Sequence, residues 1–289
     1  MTTSLASRQV EELERTDPQS GAVSDWLGLA GPDALVRTFP QVYHALGRGK
    51  RLTIREGGEL LSHLATHQVE YRVGSRSIDT LLIGSVATHP AHRGRGLAGR
   101  LIAHAADQAR DEKIDALVLW SDSPGFFARF GFIPVGTQFV VDVRPTASRP
   151  DGDIARAAVV GDLPTILALH SAKPMRVERS LGDLTLLLSA RPMETMVLER
   201  KGQVVAYACR SKGEDFPGWW HEVGGSDRDV TWLVEMATGA SRTPHAKMLL
   251  PPYRQCAVLD RDSRPSACLL LALTPGAESE WFVDGLDSI

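Results

Sequence analysis

Between Leu52 and Leu61 apolar and polar residues alternate, and Gly57-Gly58 breaks the alternation, which predicts a hairpin. Its second arm is expected to run to about Val73, where Gly74-Ser75 turns the chain into a further strand over Ile78–Thr88. Past a glycine-rich turn the period lengthens. Leu97, Leu101, Ile102, Ala105, Ala106 and Ala109 share one face of a helix. Ala116–Trp120 is apolar throughout, as in a strand inside a sheet. Ser121-Asp122-Ser123-Pro124 starts a short helix that Gly131-Phe132 ends, and Val140, Val141 and Val143 predict a closing strand. Upstream, residues 1–20 are polar and expected to fray, and two weaker helical stretches lie near Ser24–Ala30 and Asp33–Leu46.

The segment Pro145 to Gly152, rich in Pro, Ser, Arg and Asp, reads as a linker, and a similar syntax restarts beyond it. Helices are expected from Asp162-Leu163-Pro164 and over Leu181–Ala190, and a hairpin joins Met196–Arg200 to Gln203–Cys209 around Lys201-Gly202. Ser226 and Asp229 approximate a capping box before the apolar face Val230, Leu233, Val234 and Ala237. Strands over Ala267–Leu273 and Trp281–Val283 end the chain. The expected fold class is α/β (α+β): a mixed, mostly antiparallel sheet flanked by helices, present twice. The units run over 1–145 and 153–289, the second a divergent copy without the glycine motif.

A length of 289 residues suits about two domains, and 43% hydrophobic against 23% charged residues supports proper cores. A net charge of −3 gives no electrostatic support to a nucleic-acid or membrane-surface partner. Cys209, Cys256 and Cys268 match neither a disulfide framework nor a zinc site and read as buried or idle thiols of a reducing compartment. With no secretory pattern and no apolar run of about 18 residues, the expected localisation is cytoplasmic. A homo-oligomer is allowed.

The chemistry concentrates where the strand ending Val86-Ala87-Thr88 meets His89-Pro90-Ala91-His92-Arg93-Gly94-Arg95-Gly96-Leu97-Ala98-Gly99. A glycine turn opening a helix lines up backbone N–H groups for a pyrophosphate, and Arg93 and Arg95 add positive charge. Gly94, Gly96 and Gly99 also satisfy a dinucleotide fingerprint, with Asp122 roughly where a ribose-binding acid belongs. In that fold, however, the first glycine follows its strand almost directly and a parallel βαβ unit opens the domain. Here five residues intervene after hairpin-linked strands, so the dinucleotide reading fails.

Arg93, Gly96 and Ala98 instead satisfy an Arg/Gln-x-x-Gly-x-Gly/Ala pattern, and Phe126–Phe132 reads FFARFGF. From about Arg51 to Val143 the chain resembles the GCN5-related N-acetyltransferases (the GNAT superfamily), and its tandem arrangement resembles the Eis-type (enhanced intracellular survival) members. At 289 residues it is shorter than those and is expected to lack their additional C-terminal domain, so the resemblance implies none of their particular substrates. The resemblance implies acetyl-CoA as cosubstrate and a primary amine of a small molecule or peptide as acceptor. It implies that Gly94, Arg95, Gly96, Leu97, Ala98 and Gly99, with Arg93, hold the pyrophosphate. It also implies that backbone N–H groups at Val86, Ala87 and Thr88, beside a distortion at Gly84-Ser85, polarise the thioester carbonyl. Ser121 and Asp122 either contact the coenzyme or cap the helix at Pro124. The alternative to catalysis is a non-catalytic acyl-CoA sensor or structural protein.

The chain departs from its relatives at their usual thiolate proton donor, a tyrosine, whose matching residue is Phe127. No acid stands in the strand Thr80–Ala87, where many relatives place a general base. Two other groups could serve: His63, which is otherwise an ordinary half-buried histidine, and the carboxylate of Ile289, since Eis-type enzymes use their C-terminus. A water chain is equally admissible. His89 and His92 form an H-x-x-H pair, but with no evident carboxylate beside it no metal site is expected. Trp219, Trp220, Trp232 and Trp281 read as core, or, for Trp219, Trp220 and His221, as one wall of a cleft between the halves.

Overall fold

The structure, a computed structural model, describes residues 9–14, 17, 19–31, 33–145, 152–240, 246–254, 261–265 (backbone only), 268–277, 281 and 287. Strand β1 (Val10–Glu12) is followed by helices α1 (Ser20–Trp26), α2 (Ala34–Thr38) and α3 (Pro40–Tyr43). The one helix expected over Asp33–Leu46 is thus two short ones. Phe39, preceding Pro40, leaves the helical region at φ −125° and ψ 61°, because the proline ring crowds its backbone.

Strands β2 (Lys50–Glu56), β3 (Glu59–Val73) and β4 (Arg76–Thr88) form an antiparallel meander. Gly57 and Gly58 take φ +60° and +86°, the left-handed pair a two-residue hairpin turn needs. Helix α4 (Leu97–Asp111) then buries all six of its expected apolar positions in one core with Leu52, Leu64, Ile83 and Leu117. Each leucine or isoleucine removed from water there contributes roughly 1.5–3 kcal/mol. Strand β5 (Ala116–Trp120), α5 (Pro124–Ala128), β6 (Ile133–Pro134) and β7 (Thr137–Val143) complete the N-terminal elements.

The second half comprises β8 (Asp153–Ala157), α6 (Leu163–Ser171), β9 (Met175–Val177), α7 (Leu181–Leu187), β10 (Glu194–Arg200) and β11 (Gln203–Arg210). They are followed by β12 (Trp220–Gly225), α8 (Asp227–Gly239), β13 (Ala246–Leu250), β14 (Arg261–Pro265) and β15 (Cys268–Ala272). Most of the linker, residues 146–151, lies outside the described residues, as do Cys256 and 282–283 of the expected last strand. Trp281 is in no strand; its ring stacks on Tyr71 at 4.4 Å between centroids. Trp220 is core as well, its Nε1–H donating to Thr238 Oγ1 at 3.0 Å.

Two mostly antiparallel sheets result. The eight-stranded sheet runs β1-β2-β3-β4-β5-β15-β6 with β9 on β3, and the seven-stranded sheet runs β14-β7-β13-β12-β11-β10-β8. Their inner orders correspond. In each, one parallel pair spans a long helix, β4 with β5 around α4 and β12 with β13 around α8. In each, the strand inserted next comes from the other half. β7, expected to close the first unit, sits between β13 and β14, in register from Phe139↔Leu250 to Val143↔Ala246. β15, expected in the second unit, sits between β5 and β6, in register from Cys268↔Trp120 to Ala272↔Ala116. Residue alternation defines a strand and its two faces but not its neighbour, so the exchange left no trace in the pattern. No single cut of the chain separates the sheets.

A buried ionic cluster joins the segment after β9, whose strand lies on the first sheet, to β12 of the second. Arg179, in the segment between β9 and α7, donates to both carboxylate oxygens of Glu222 on β12, at 2.7 and 2.8 Å, and to Asp287 at 2.6 and 3.0 Å. Tyr207 Oη donates to Glu222 at 2.7 Å. Burial opposes ionisation of Glu222, but Arg179 and Lys173 outweigh it and hold that carboxyl well below its ordinary range.

A chain ending at residue 145 lacks β15 and β9, leaving β5 with an open edge and Leu82, Ala116 and Val118 without Met175, Val177, Cys268 and Leu270 of their core cluster. It is expected to lose the cooperative urea unfolding transition of the full chain. A sharp, native-like transition in the fragment would show that the exchanged strand is dispensable.

Candidate functional site

Two departures from regular structure open a cleft at the end of β4. The first is a bulge. Pairing passes from His63↔Ala87 to Ala65↔Gly84, two steps on β3 against three on β4, so β4 carries one extra residue. Ser85 absorbs it at φ +48°, a left-handed conformation that costs a residue with a Cβ roughly 1–2 kcal/mol. The second is divergence. β4 and β5 pair from Thr80↔Ala116 to Leu82↔Val118, whereas β4 continues to Thr88 and β5 to Trp120. Past Leu82 the strands part.

Beyond Thr88 a 3-10 turn, Pro90–His92, leads into the glycines. Gly94 and Gly96 adopt φ +75° and +73°, and a Cβ on either would meet nothing within 4 Å. Backbone conformation, not crowding, therefore requires glycine at both. Gly99 is different: its Cβ would lie 2.8 Å from the Phe130 ring, so it permits close packing of α4 against the segment after α5. Gly96 caps α4 without a side-chain hydrogen bond, and no acid stands in the first turn, so the opening amides face outward beside the positive end of the helix.

The resulting cleft has a volume of about 700 Å³. Its lining includes Val86, Ala87, Thr88, Arg93, Gly94, Gly96, Leu97, Ala98, Gly99 and Ser121 from the expected coenzyme set. Arg95 and Asp122 lie off it. Arg95 turns away to His92 Nδ1, 2.5 Å from Nη1, and to Glu56 at 3.7 Å, while Asp122 is exposed. Ser121 Oγ accepts from the Ser123 N–H at 3.0 Å, so it turns the chain before α5 as well as facing the cleft. Phe127, the residue at the relatives' tyrosine position, is part of an aromatic wall with Trp26, Trp120 and Phe126, which the sequence did not place there, nor Arg129 upon it. The guanidinium of Arg129 sits 4.7 Å from the Phe126 ring centroid. Only FFARFGF, which contains Arg129 and both phenylalanines, signalled any of this. Neither Arg93 nor Arg129 has a carboxylate partner among the described residues. Phe127 is buried edge-on to Phe126 and Phe132 and offers no proton.

The corresponding end of α8 is built for the opposite charge. Ser226 caps it by accepting from the Asp229 N–H at 3.1 Å, and Asp227 and Asp229 occupy the first turn. Asp229 is paired with Arg200 at 2.7 Å and Asp227 with Arg254 at 2.9 Å. Its own acids take the place an anion would need.

His63 lies behind the bulge, fully buried and off the cleft lining. Its Nδ1–H donates to the carbonyl of Ser85 at 2.9 Å, and its Nε2 is buried with no partner among the described residues. Tyr43 stacks on the imidazole at 6.0 Å and 23°. Burial, partly offset by the bond to Ser85, pushes the His63 pKa down to about 4, so the ring is neutral near pH 7. Ile289 lies outside the described residues; Asp287, two positions earlier, is buried against Arg179. At the rim, Glu59 brings its carboxylate within 3.8 Å of His92 Nε2, so the H-x-x-H pair does have an acid beside it. Both imidazoles already use Nδ1, His89 accepting from the Ala91 N–H and His92 engaging Arg95.

Residues 33–135 match the sequence profile of the acetyltransferase (GNAT) domain. The N-terminal half carries a GNAT domain. No curated protein matches the full sequence. Among solved structures, the fold is similar to a GCN5-related N-acetyltransferase from Kribbella flavida, with a TM-score of 0.69 at 15% identity over 91% of this chain and 71% of that one. It is similar to Eis1 from Mycobacterium abscessus, with a TM-score of 0.61 at 15% identity over 91% and 73%. A tandem GNAT protein from the clavulanic acid biosynthesis pathway matches with a TM-score of 0.60 at 12% identity, over 92% of this chain and 99% of that one. These likenesses concern the fold. Within it, the cleft described above lies in the N-terminal half, and the equivalent helix end of the second copy carries acids.

His63, His67 and His221 each have their pKa lowered to about 4, chiefly by burial. The unfolded chain, with imidazoles near 6.5, takes up protons that the folded chain refuses. Stability is therefore complete above pH 6.5 and falls as pH drops toward 4, by up to about 3 kcal/mol for a fully buried ring. Urea midpoints are expected to decline across this window. They should decline less in His63→Leu, and an equal decline would place His63 in contact with water.

Proposed function

We propose that the protein is an N-acetyltransferase that carries acetyl from acetyl-CoA to a primary amine of a small molecule or peptide. The observation that carries this reading is the pairing, in one cleft, of an uncapped helix N-terminus with a bulged strand end. The open amides after Gly94 and Gly96, with Arg93 and Arg129 beside them, suit a pyrophosphate. The gap between β4 and β5 suits the extended arm that carries a thioester. The Val86 and Ala87 end of β4 suits the carbonyl at the end of that arm.

In the reaction the neutral amine attacks the thioester carbon and a C–N bond forms. The carbonyl oxygen becomes an oxyanion, which backbone N–H donors at the bulge stabilise. Collapse breaks the C–S bond, the sulfur leaves as thiolate, and the amine nitrogen gives up its extra proton to solvent or to a base brought by the acceptor. Phe127 cannot protonate the thiolate. With a thiol pKa near 8.5, the thiolate can nevertheless leave unassisted close to neutral pH. The same phenylalanine favours a second reading, a non-catalytic acyl-CoA sensor, in which loss of the donor accompanies loss of turnover.

Calorimetric titration with acetyl-CoA is expected to show one binding site, at least 100-fold weaker in a variant carrying Arg93→Glu and Gly96→Glu. Undiminished affinity in that variant would sink the site. Thiol release over a panel of polyamines, aminoglycosides and peptide amines separates the enzyme from the sensor. Phe127→Tyr, which restores a hydroxyl on the cleft wall, is expected to raise the release rate several-fold; no turnover in either form would favour the sensor.

A further inference from the structure

The peptide unit joining Ser85 to Val86 is held from one side. Its carbonyl receives the Nδ1–H of His63, which stands on β3 at 2.9 Å. A trans peptide is planar and points its C=O and N–H in opposite directions. With the Ser85 carbonyl drawn toward β3, the Val86 N–H is turned toward β5, where the two strands have parted and the cleft opens. Nothing in the regular ladder would set this orientation, because the bulge has taken Ser85 out of step and into a left-handed conformation.

The imidazole making this bond is itself fixed. Tyr43 stacks on it, and the Arg51 guanidinium lies 5.9 Å from the far ring's centroid. Arg51 is anchored in turn, its Nη2 donating to the Leu13 carbonyl at 3.2 Å and its Nη1 to Ser20 Oγ at 3.2 Å. Of the polar atoms nearby, Tyr43 Oη interacts with the Ser85 hydroxyl, and His63 Nε2 has no hydrogen-bond partner among the described residues. Among the described residues, the bond to the Ser85 carbonyl is therefore the one hydrogen bond made by the His63 side chain. A buried imidazole shut off from the cleft, with neutral Nε2, is badly placed to take a proton from an acceptor amine. It is well placed to aim a peptide.

We propose that His63 is a positioning residue: through the Ser85 carbonyl it orients the Val86 N–H as the oxyanion donor of the acetyl-transfer site. The proposal rests on the acetyltransferase reading above for its catalytic consequence. Its geometric content, that His63 sets the 85–86 peptide, stands apart from that reading.

Substituting His63 tests both parts. In asparagine the side-chain Nδ2 occupies the place of the imidazole Nδ1, so His63→Asn keeps the donor while removing any titratable base. His63→Leu removes both. The first readout is the 1H–15N shift of the Val86 amide in the unliganded full-length protein, with thermal melting to confirm folding. His63→Leu is expected to move it and His63→Asn to leave it near the parent value. An unmoved Val86 amide in a folded His63→Leu variant would overturn the proposal whether or not the protein turns over. The second readout is thiol release with the acceptor found above. His63→Leu should lower kcat about 10- to 100-fold with the acetyl-CoA Kd changed less than threefold. His63→Asn should recover most of kcat, with the parent pH profile. If Asn is as inactive as Leu while both bind coenzyme, His63 is a base and the positioning role is wrong. Failure of the parent protein to bind acetyl-CoA would instead strike the function reading and leave the Val86 shift to decide the geometry.

Discussion

Everything in the N-terminal sheet depends on what fills the gap between β5 and β6. β5 is apolar on both faces, and one of its edges is satisfied by β4 only over Thr80–Leu82. Its other edge needs a full-length partner, since unpaired backbone groups in a core cost several times what a surface hydrogen bond contributes. That partner is β15, drawn from the far end of the chain, and β7 performs the reciprocal service for β13. Because β15 satisfies the distal edge of β5, β4 is free to leave the proximal edge after Leu82. The cleft is the consequence of that freedom.

The two halves show how one architecture can be opened or closed to an anion by a few residues. In α4 the cap is a left-handed glycine with no acid behind it. In α8 it is Ser226, followed by Asp227 and Asp229, each held by an arginine. The helices have comparable neighbours and opposite terminal charge. The second copy keeps the sheet, including the slot for β7, and carries internal ion pairs where the first presents an open helix end.

The parts of this fold that local periodicity can express were legible in the sequence. The Gly57-Gly58 hairpin, the apolar stripe of α4 and the glycine turn all depend on residues within a few positions of one another, and each was found where expected. The partner of a strand is not local information, so β7 and β15 were assigned to the wrong sheets. The site divided in the same way. Backbone donors at Gly94 and Gly96 follow from the motif, whereas Trp26 comes from a helix some 60 residues upstream and carries no mark of its destination. Arg93 and Arg95 look equivalent in the motif. One turn of backbone sends the first along the cleft and the second back to Glu56. His63 stood out as a histidine near the chemistry, but its direction, toward the Ser85 carbonyl rather than into the cleft, depends on a bulge that only the paired strands define.

The strand exchange also has a meaning in time. Residue 120 leaves the ribosome nearly 150 residues ahead of residue 268, a delay on the order of ten seconds at ordinary synthesis rates. Throughout that interval the nascent N-terminal sheet has an apolar edge with no partner, the kind of surface that recruits chaperones or a neighbouring chain. The C-terminal strand is therefore the last tooth of a fastener: until it is engaged, the cleft built from residues 26 to 129 stands on a sheet with one edge undone.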